Sequence, residues 1–139
     1  KAAEAAARAA EAACAALEDG RGRWLLGPHE EAAWERPLAA PLGGRIVHAT
    51  PDLTFVEAGV RWVVDYKTAT HEGGDREAFL AAEWERYRPQ LARYAALLAR
   101  LDPRPIRIAL YHPLLGGWRE AAWEGEAAGG VTPPAAGGS

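Results

Sequence analysis

The segment 60–112 constrains the fold of this chain more than any other stretch. It opens with VRWVVDYK (60–67), whose β-branched and aromatic residues are typical of a strand. Apolar residues at helical spacing then cover 76–101, and 105–112 alternates as a second strand. This order predicts two parallel strands joined by a long crossover helix. The sequence therefore predicts an α/β fold, with a mixed central β-sheet flanked by helices.

Two more helices are predicted before the strands. Residues 2–17 are rich in alanine, with charged residues at same-face spacing, and Asp19-Gly20 ends this helix. Pro28 is followed by two glutamates, which is the pattern of a helix start, and this helix must end before Pro37. Between the two helices, an apolar Trp-Leu-Leu run is expected to insert into the core.

Turn and breaker residues indicate the other boundaries. Pro89 lies inside 76–101 and predicts a kink or a break into two helices. We expect a single domain over 1–123, with a loop at 68–75 and a disordered tail at 124–139, where glycine, alanine and proline dominate. The remaining predicted strands are 35–40, 45–50, 53–57 and 118–123, with turns at Gly43-Gly44 and Ala58-Gly59.

Composition excludes several classes of protein. The chain has 139 residues and a formal net charge of −3. This net negative charge argues against a histone-like mode of binding, in which bulk charge on the chain would hold the partner. No apolar run approaches the roughly 20 residues of a membrane helix, and a single cysteine excludes an internal disulfide. We therefore expect a soluble, intracellular protein with no membrane partner. Methionine is absent, so Lys1 is not expected to be a natural start, and the chain is expected to be a piece of a longer protein.

The residues that carry chemistry lie at the ends of two predicted strands, in Pro51-Asp52 and Asp65-Tyr66-Lys67. Because side chains alternate along a strand, Asp65 and Lys67 share one face and Tyr66 points to the other. An even-numbered turn between the strands places Asp52 directly opposite Asp65, with side chains roughly 5 Å apart. An odd loop with a bulge would shift this register.

Two facing carboxylates repel each other unless a positive charge lies between them. Mg²⁺ takes few protein carboxylates and keeps water and phosphate oxygens as its other ligands, so Mg²⁺ or Mn²⁺ is the expected cofactor. Lys67, on the same face, is placed to orient the attacking water and to stabilise phosphate charge. The alternative is a hairpin whose surface charges fall in this pattern by chance, since a D-x-K pattern alone is a weak signal.

The ordered motifs resemble the PD-(D/E)XK nuclease superfamily. The resemblance rests on P-D at 51–52, V-V-D-Y-K-T at 63–68 and Q-L-A-R-Y at 90–94, and it covers roughly residues 24–119. It is closest to the RecB-like nuclease domain at the C-terminal end of UvrD/Rep-type (AddA- and RecB-related) superfamily 1 helicases. The resemblance implies a restriction-endonuclease-like core and metal-dependent hydrolysis of DNA, as the exonuclease of a helicase–nuclease in double-strand-break repair.

The resemblance also implies a role for individual residues. Asp52 and Asp65 would be catalytic metal ligands, the Tyr66 carbonyl a third ligand, and Lys67 the catalytic lysine. Two further elements match by position, namely Gln90 and Tyr94 as the Q-x-x-x-Y substrate-binding pair and Glu35 as an additional metal ligand from an E-x-P-F strand.

The implied partners are single-stranded DNA ends and helicase domains of the same parent chain, in the bacterial cytoplasm near the nucleoid. The family's upstream G-x-x-x-H helix, which carries a metal-binding histidine, has no counterpart in this sequence. The alternative function is a catalytically weak nuclease-like domain that binds DNA or docks the helicase.

Overall fold

The computed structural model describes residues 1–71 and 73–125, and it has the predicted α/β architecture. Strands β1, β4, β5, β6 and β7 form one five-stranded sheet in that order, and β2 and β3 form a separate two-stranded hairpin. A single 3₁₀ turn joins β6 to β7. The elements in chain order are α1 (Ala2–Glu18), α2 (Gly20–Leu26), β1 (Glu30–Trp34), β2 (Leu38–Leu42), β3 (Arg45–Ala49), β4 (Leu53–Glu57), β5 (Val60–Tyr66), α3 (Arg76–Ala99), β6 (Ile106–His112) and β7 (Gly117–Ala122).

The sheet is mixed, as predicted. Strands β5 and β6 run parallel and are connected by α3, whereas β4 pairs antiparallel with β5 and β7 pairs antiparallel with β6. A parallel pair needs a long crossover connection, and the 24 residues of α3 supply it. The predicted strand–helix–strand unit is therefore confirmed, and so are the strands at β3, β4 and β7.

Each face of the sheet packs against its own layer of helix. Because side chains alternate along β5, Trp62 and Val64 join the cluster beneath α1 and α2, while Val63 joins the cluster beneath α3. The second cluster also holds Leu91 of α3 and Leu110 of β6. Because both faces of β5 and β6 are covered, most residues of these two strands are apolar.

Helix α1 ends as predicted, but the short helix α2 follows it at once. Asp19 lies between them, and its Oδ2 accepts hydrogen bonds from the Gly22 amide at 3.1 Å and the Tyr111 hydroxyl at 2.7 Å. A side chain at position 22 would meet the Ala16 carbonyl oxygen at 2.1 Å, so the two helices approach this closely only at glycine. The sequence marked this region only as an apolar insertion.

The helix predicted after Pro28 is wrong. Glu30–Trp34 form β1, an edge strand that pairs antiparallel with β4 around a bulge. The helix-start signal is local, whereas the pairing with β4 satisfies the backbone through residues distant in sequence. The strand predicted at 35–40 is also displaced, since the chain leaves β1 at Glu35, with φ of 51°, and β2 begins at Leu38.

The break predicted at Pro89 does not occur, because α3 runs from Arg76 to Ala99 as one helix. Proline costs this helix one backbone hydrogen bond. Leu80 before the proline and Leu91 and Leu98 after it are all buried, and burying apolar residues on both sides of Pro89 favours the continuous helix.

Two other predictions concern the ends and the surface. The predicted tail at 124–139 lies outside the described residues from position 126 onward. Across 1–71 and 73–125, no helix is both long enough and apolar enough to cross a membrane.

Candidate active site

The β4–β5 register brings Asp52 and Asp65 together. Leu53 is the partner of Val64, so the next residues outward are Asp52 and Asp65. The register follows from the two-residue turn, in which Ala58 and Gly59 both have positive φ, of 53° and 80°. Such primed turns match the twist of a hairpin and keep the strands in an even register. The predicted facing of the two acids is confirmed.

Backbone amides hold the two carboxylates in place. Asp52 Oδ2 accepts a hydrogen bond from the Tyr66 amide at 2.8 Å, and the Asp52 amide donates to Asp65 Oδ1 at 3.4 Å. Each acid is thereby tied to the strand of the other. The two residues Asp52 and Asp65 are called the acid pair below.

Burial makes the acid pair electrostatically unusual. Asp65 is only 3% exposed, whereas Asp52 is half-buried. Burial, and then the charge of Asp52, raise the pKa of Asp65 to about 6, although Lys67 partly offsets this rise. A carboxylate with this pKa accepts a proton much more readily than an exposed aspartate does.

Lys67 lies just beyond the end of β5, on the same face as Asp65. Its amide donates to the Tyr111 carbonyl at 2.8 Å, which continues the pairing with β6. Its Nζ lies 3.9 Å from the centre of the Tyr87 ring on α3. No ion pair joins Lys67 to an acid in the part of the chain that the structure describes.

Helix α3 places Gln90 and Tyr94 beside the acid pair. These residues are one turn apart, and Gln90 Nε2 donates to Tyr94 Oη at 2.9 Å. Burial, and then the charges of Asp65 and Asp52, raise the pKa of Tyr94. The phenol therefore stays protonated and can act as a hydrogen-bond donor. The structure brings this predicted pair to the predicted acids.

Tyr66 points to the opposite face of the sheet, as the alternation predicted. Its ring lies 5.6 Å from that of Trp34 and 5.3 Å from that of Tyr111. Burial and the charge of Asp52 raise the pKa of Tyr66 to about 12. The side chain therefore lies away from Lys67, and the predicted role of the Tyr66 carbonyl as a metal ligand stays a prediction.

Glu35 reaches the site through its backbone. Its amide donates to the Asp52 carbonyl at 2.8 Å, while its side chain is exposed. Within 1–71 and 73–125, no three His, Cys, Asp or Glu side chains cluster closely enough to hold a metal ion. Metal binding by the Glu35 side chain stays a prediction, and the acid pair is the donor set that the fold brings together.

Sequence reasoning missed three residues near Lys67, namely Glu83, Tyr87 and His112. His112, at the end of β6, lies with its Nε2 3.2 Å from Glu83 Oε1, and both residues are buried. Burial lowers the pKa of His112. The available signal was helical spacing, since Glu83, Tyr87, Gln90 and Tyr94 recur every three or four residues along α3.

The donor set suits a hard divalent cation. Mg²⁺ is commonly held by one or two carboxylates, with water and substrate phosphate completing its shell. The acid pair supplies two carboxylates, and burial together with the charge of Asp52 raises the pKa of Asp65, as expected for two acids that face each other in a partly buried site. No protein-family model matches the chain, and no curated protein matches it either.

Proposed function

We propose that this chain is a metal-dependent deoxyribonuclease domain with a RecB-like PD-(D/E)XK core. In this proposal it hydrolyses phosphodiester bonds at single-stranded DNA ends, as the exonuclease of a bacterial helicase–nuclease in double-strand-break repair. The observation that carries the proposal is the geometry of the acid pair. Asp52 faces Asp65 where β4 and β5 pair, and Lys67 lies on the same face of the sheet.

Two facing carboxylates that are buried or half-buried destabilise a protein when both are ionised, unless a cation lies between them. Asp52 and Asp65 would hold Mg²⁺ or Mn²⁺ through carboxylate oxygens. When bound, the ion supplies Lewis-acid polarisation of the phosphate and lowers the pKa of a coordinated water. The amides of Tyr66 and Asp52 keep the two carboxylates fixed, so that little reorganisation is needed.

Besides the metal ion, the site has a positive charge from the protein itself, the ammonium group of Lys67. An ammonium group beside the scissile phosphate stabilises the negative charge that develops on its oxygens during hydrolysis. Among the residues that the structure describes, no acid forms an ion pair with Lys67, and its Nζ lies over the Tyr87 ring instead.

Gln90 and Tyr94 suit the backbone of the substrate. Both side chains are half-buried, and the charges of Asp65 and Asp52 act on the Tyr94 phenol, to which Gln90 is hydrogen-bonded. The amide of Gln90 and the protonated phenol of Tyr94 can donate hydrogen bonds to phosphate or sugar oxygens, which orients the strand without reading its sequence.

The test is cleavage of end-labelled single-stranded DNA by the purified chain with Mg²⁺, Mn²⁺ or EDTA. We expect cleavage with either metal and none with EDTA. Asp52→Ala, Asp65→Ala and Lys67→Ala should each lower the rate at least about 100-fold. Glu85→Gln is the matched control, because Glu85 is an exposed α3 acid whose partner is the exposed Arg88, at 3.6 Å.

Circular dichroism should report the same fold for all variants. Unchanged cleavage in Lys67→Ala, or cleavage by the wild type in EDTA, would overturn the assigned chemistry. Binding of DNA without cleavage in either metal would instead favour the alternative, a nuclease-like domain that only binds DNA or docks a helicase.

A further inference from the structure

We infer that Tyr87 is a positioning residue for Lys67, and this inference rests on the proposed nuclease function. The face of the Tyr87 ring holds the Lys67 ammonium beside the acid pair and keeps that ammonium from pairing with a carboxylate. Tyr87 acts through Lys67 and has no assigned contact with substrate.

The contact itself has the geometry of a cation–π interaction. Lys67 Nζ lies 3.9 Å from the centre of the Tyr87 ring. A cation within about 6 Å of an aromatic ring face is attracted by the electron density of that face. The Arg86 guanidinium carbon also lies 5.0 Å from the same ring, so this ring is the meeting point of two cations.

The alternative position for the ammonium explains why such a ring is useful. Asp65 and Lys67 share one face, so the flexible lysine stem can carry its charge toward the acid pair. A salt bridge there would neutralise both partners and occupy the carboxylates that a metal ion needs. An aromatic ring, by contrast, restrains the ammonium and leaves its full charge available to a phosphate.

The position of Tyr87 is in turn set by its surroundings. Tyr87 is half-buried and packs against the apolar cluster beneath α3. One turn earlier, the Glu83–His112 contact of 3.2 Å ties α3 to the end of β6. Strand β6 pairs with β5 up to Tyr66, the residue before Lys67. The ring and the lysine are therefore held by the same end of the sheet.

The chain allows an unusually direct test of the contact, because Lys1 and Lys67 are its two lysines. Lysine labelled with ¹³C gives two sets of ε-CH₂ signals in NMR spectra, and Lys67→Ala assigns them. We expect the Lys67 signal to be shifted upfield by the aromatic ring in the wild type and in Tyr87→Phe. In Tyr87→Leu it should move to the position of the exposed Lys1 signal.

Kinetics then test the role of the contact, by measuring kcat and KM on single-stranded DNA with Mn²⁺. Tyr87→Leu should lower kcat about three- to thirtyfold with little change in KM, whereas Tyr87→Phe should keep the wild-type kcat, since only the ring is required. Trp84→Leu is the matched control, because Trp84 packs against the same cluster and no cation contacts its ring in the described residues.

Each outcome separates this inference from the proposed function. A wild type that does not cleave DNA overturns the function, and the positioning role with it. An active wild type whose kcat and Lys67 signal are unchanged in Tyr87→Leu overturns the inference alone. Equal losses of kcat in Tyr87→Leu and Trp84→Leu would assign Tyr87 a packing role, and a loss in Tyr87→Phe would assign the role to its hydroxyl.

Discussion

The two ends of β5 differ in the partners of their buried charged residues, which are opposite charges at one end and a like charge at the other. Near its start, Arg61 is 8% exposed, and its guanidinium donates to Asp102 at 2.9 Å and to Glu31 at 2.5 Å. Near its end, Asp65 is 3% exposed and faces a second acid, Asp52. Arg61 and Asp65 have the same parity along β5, so both belong to the face that α3 covers.

At the Arg61 end, the buried Arg61 and Asp102 belong to a network of opposite charges. Arg104 bonds to Asp102 at 3.1 Å and approaches Glu31 at 3.6 Å, so two arginines neutralise two acids. A cleft of about 720 Å³ lies at this end, and its lining includes all four of these residues. Because its buried charges are neutralised within the fold, we assign no chemistry to this cleft.

The contrast teaches how a structural charge differs from a functional one in this molecule. Buried charges are normally paired, and the fold evidently can pair them, as the Arg61 end shows. Asp65 lies four residues further along the same strand, and among the residues that the structure describes no cationic side chain forms an ion pair with Asp65 or Asp52. We therefore attribute the repulsion between Asp52 and Asp65 to function and the Arg61 cluster to stability. Three predictions test this division.

The largest effect is expected at the paired end. Arg61→Met should lower the free energy of unfolding by about 3 to 5 kcal/mol, because it leaves the buried Asp102 carboxylate with only the more exposed Arg104. Urea unfolding at pH 7.5 in EDTA measures this change. Arg104→Met is the control, with an expected loss below about 1 kcal/mol. A wild-type stability for Arg61→Met would contradict the structural role.

A smaller effect is expected for Asp65→Asn, which should raise the free energy of unfolding relative to the wild type, and the size of this gain should depend on pH. Folding raises the pKa of this carboxyl from 3.8 to about 6, so the folded state holds the proton more tightly than the unfolded state. The contribution of Asp65 to the free energy of unfolding should therefore fall as pH rises from about 4 to about 6, by up to about 3 kcal/mol, with no further change above that range.

Asp65→Asn cannot ionise, so it should escape this loss. Urea unfolding in EDTA at pH 4 and pH 7.5 should show that the variant gains on the wild type at the higher pH. An equal difference in the free energy of unfolding at both pH values would mean that burial and Asp52 do not raise the pKa of Asp65.

The smallest effect is expected for the half-buried partner. Asp52→Asn should raise the free energy of unfolding in EDTA by about 1 kcal/mol, because it removes one of two repelling charges while the side-chain oxygen can still accept from the Tyr66 amide. With millimolar Mn²⁺, the Tm of the wild type should rise and that of the variant should rise much less. Destabilisation of the variant in EDTA would mean that the two carboxylates do not repel each other.

Much of the candidate site could be predicted because it depends on short-range rules. Alternation along a strand places Asp65 and Lys67 on one face, and the Ala58-Gly59 turn sets the register that brings Asp52 opposite Asp65. Helical spacing likewise joins Gln90 to Tyr94. Each of these relations involves residues that lie within one strand, one hairpin or one turn of helix.

The errors lie where distant residues decide the conformation. Glu30–Trp34 have a helix-start pattern but form an edge strand, because β4 offers them a backbone partner. Pro89 does not divide α3, because apolar packing on both sides of it outweighs one lost hydrogen bond. Neither the pairing of β1 with β4 nor the packing of α3 can be inferred from the local sequence.

The sequence by itself determined the mixed α/β layout, the facing of Asp52 and Asp65, and the side of the sheet on which Lys67 lies. Only the tertiary structure decided which charges are neutralised. Arg61 finds Asp102 and Glu31 at separations of 41 and 30 residues, and Lys67 finds the ring of Tyr87 across the sheet–helix interface. Such partners follow from how α3 and the strands pack, and no periodicity in the chain encodes that packing.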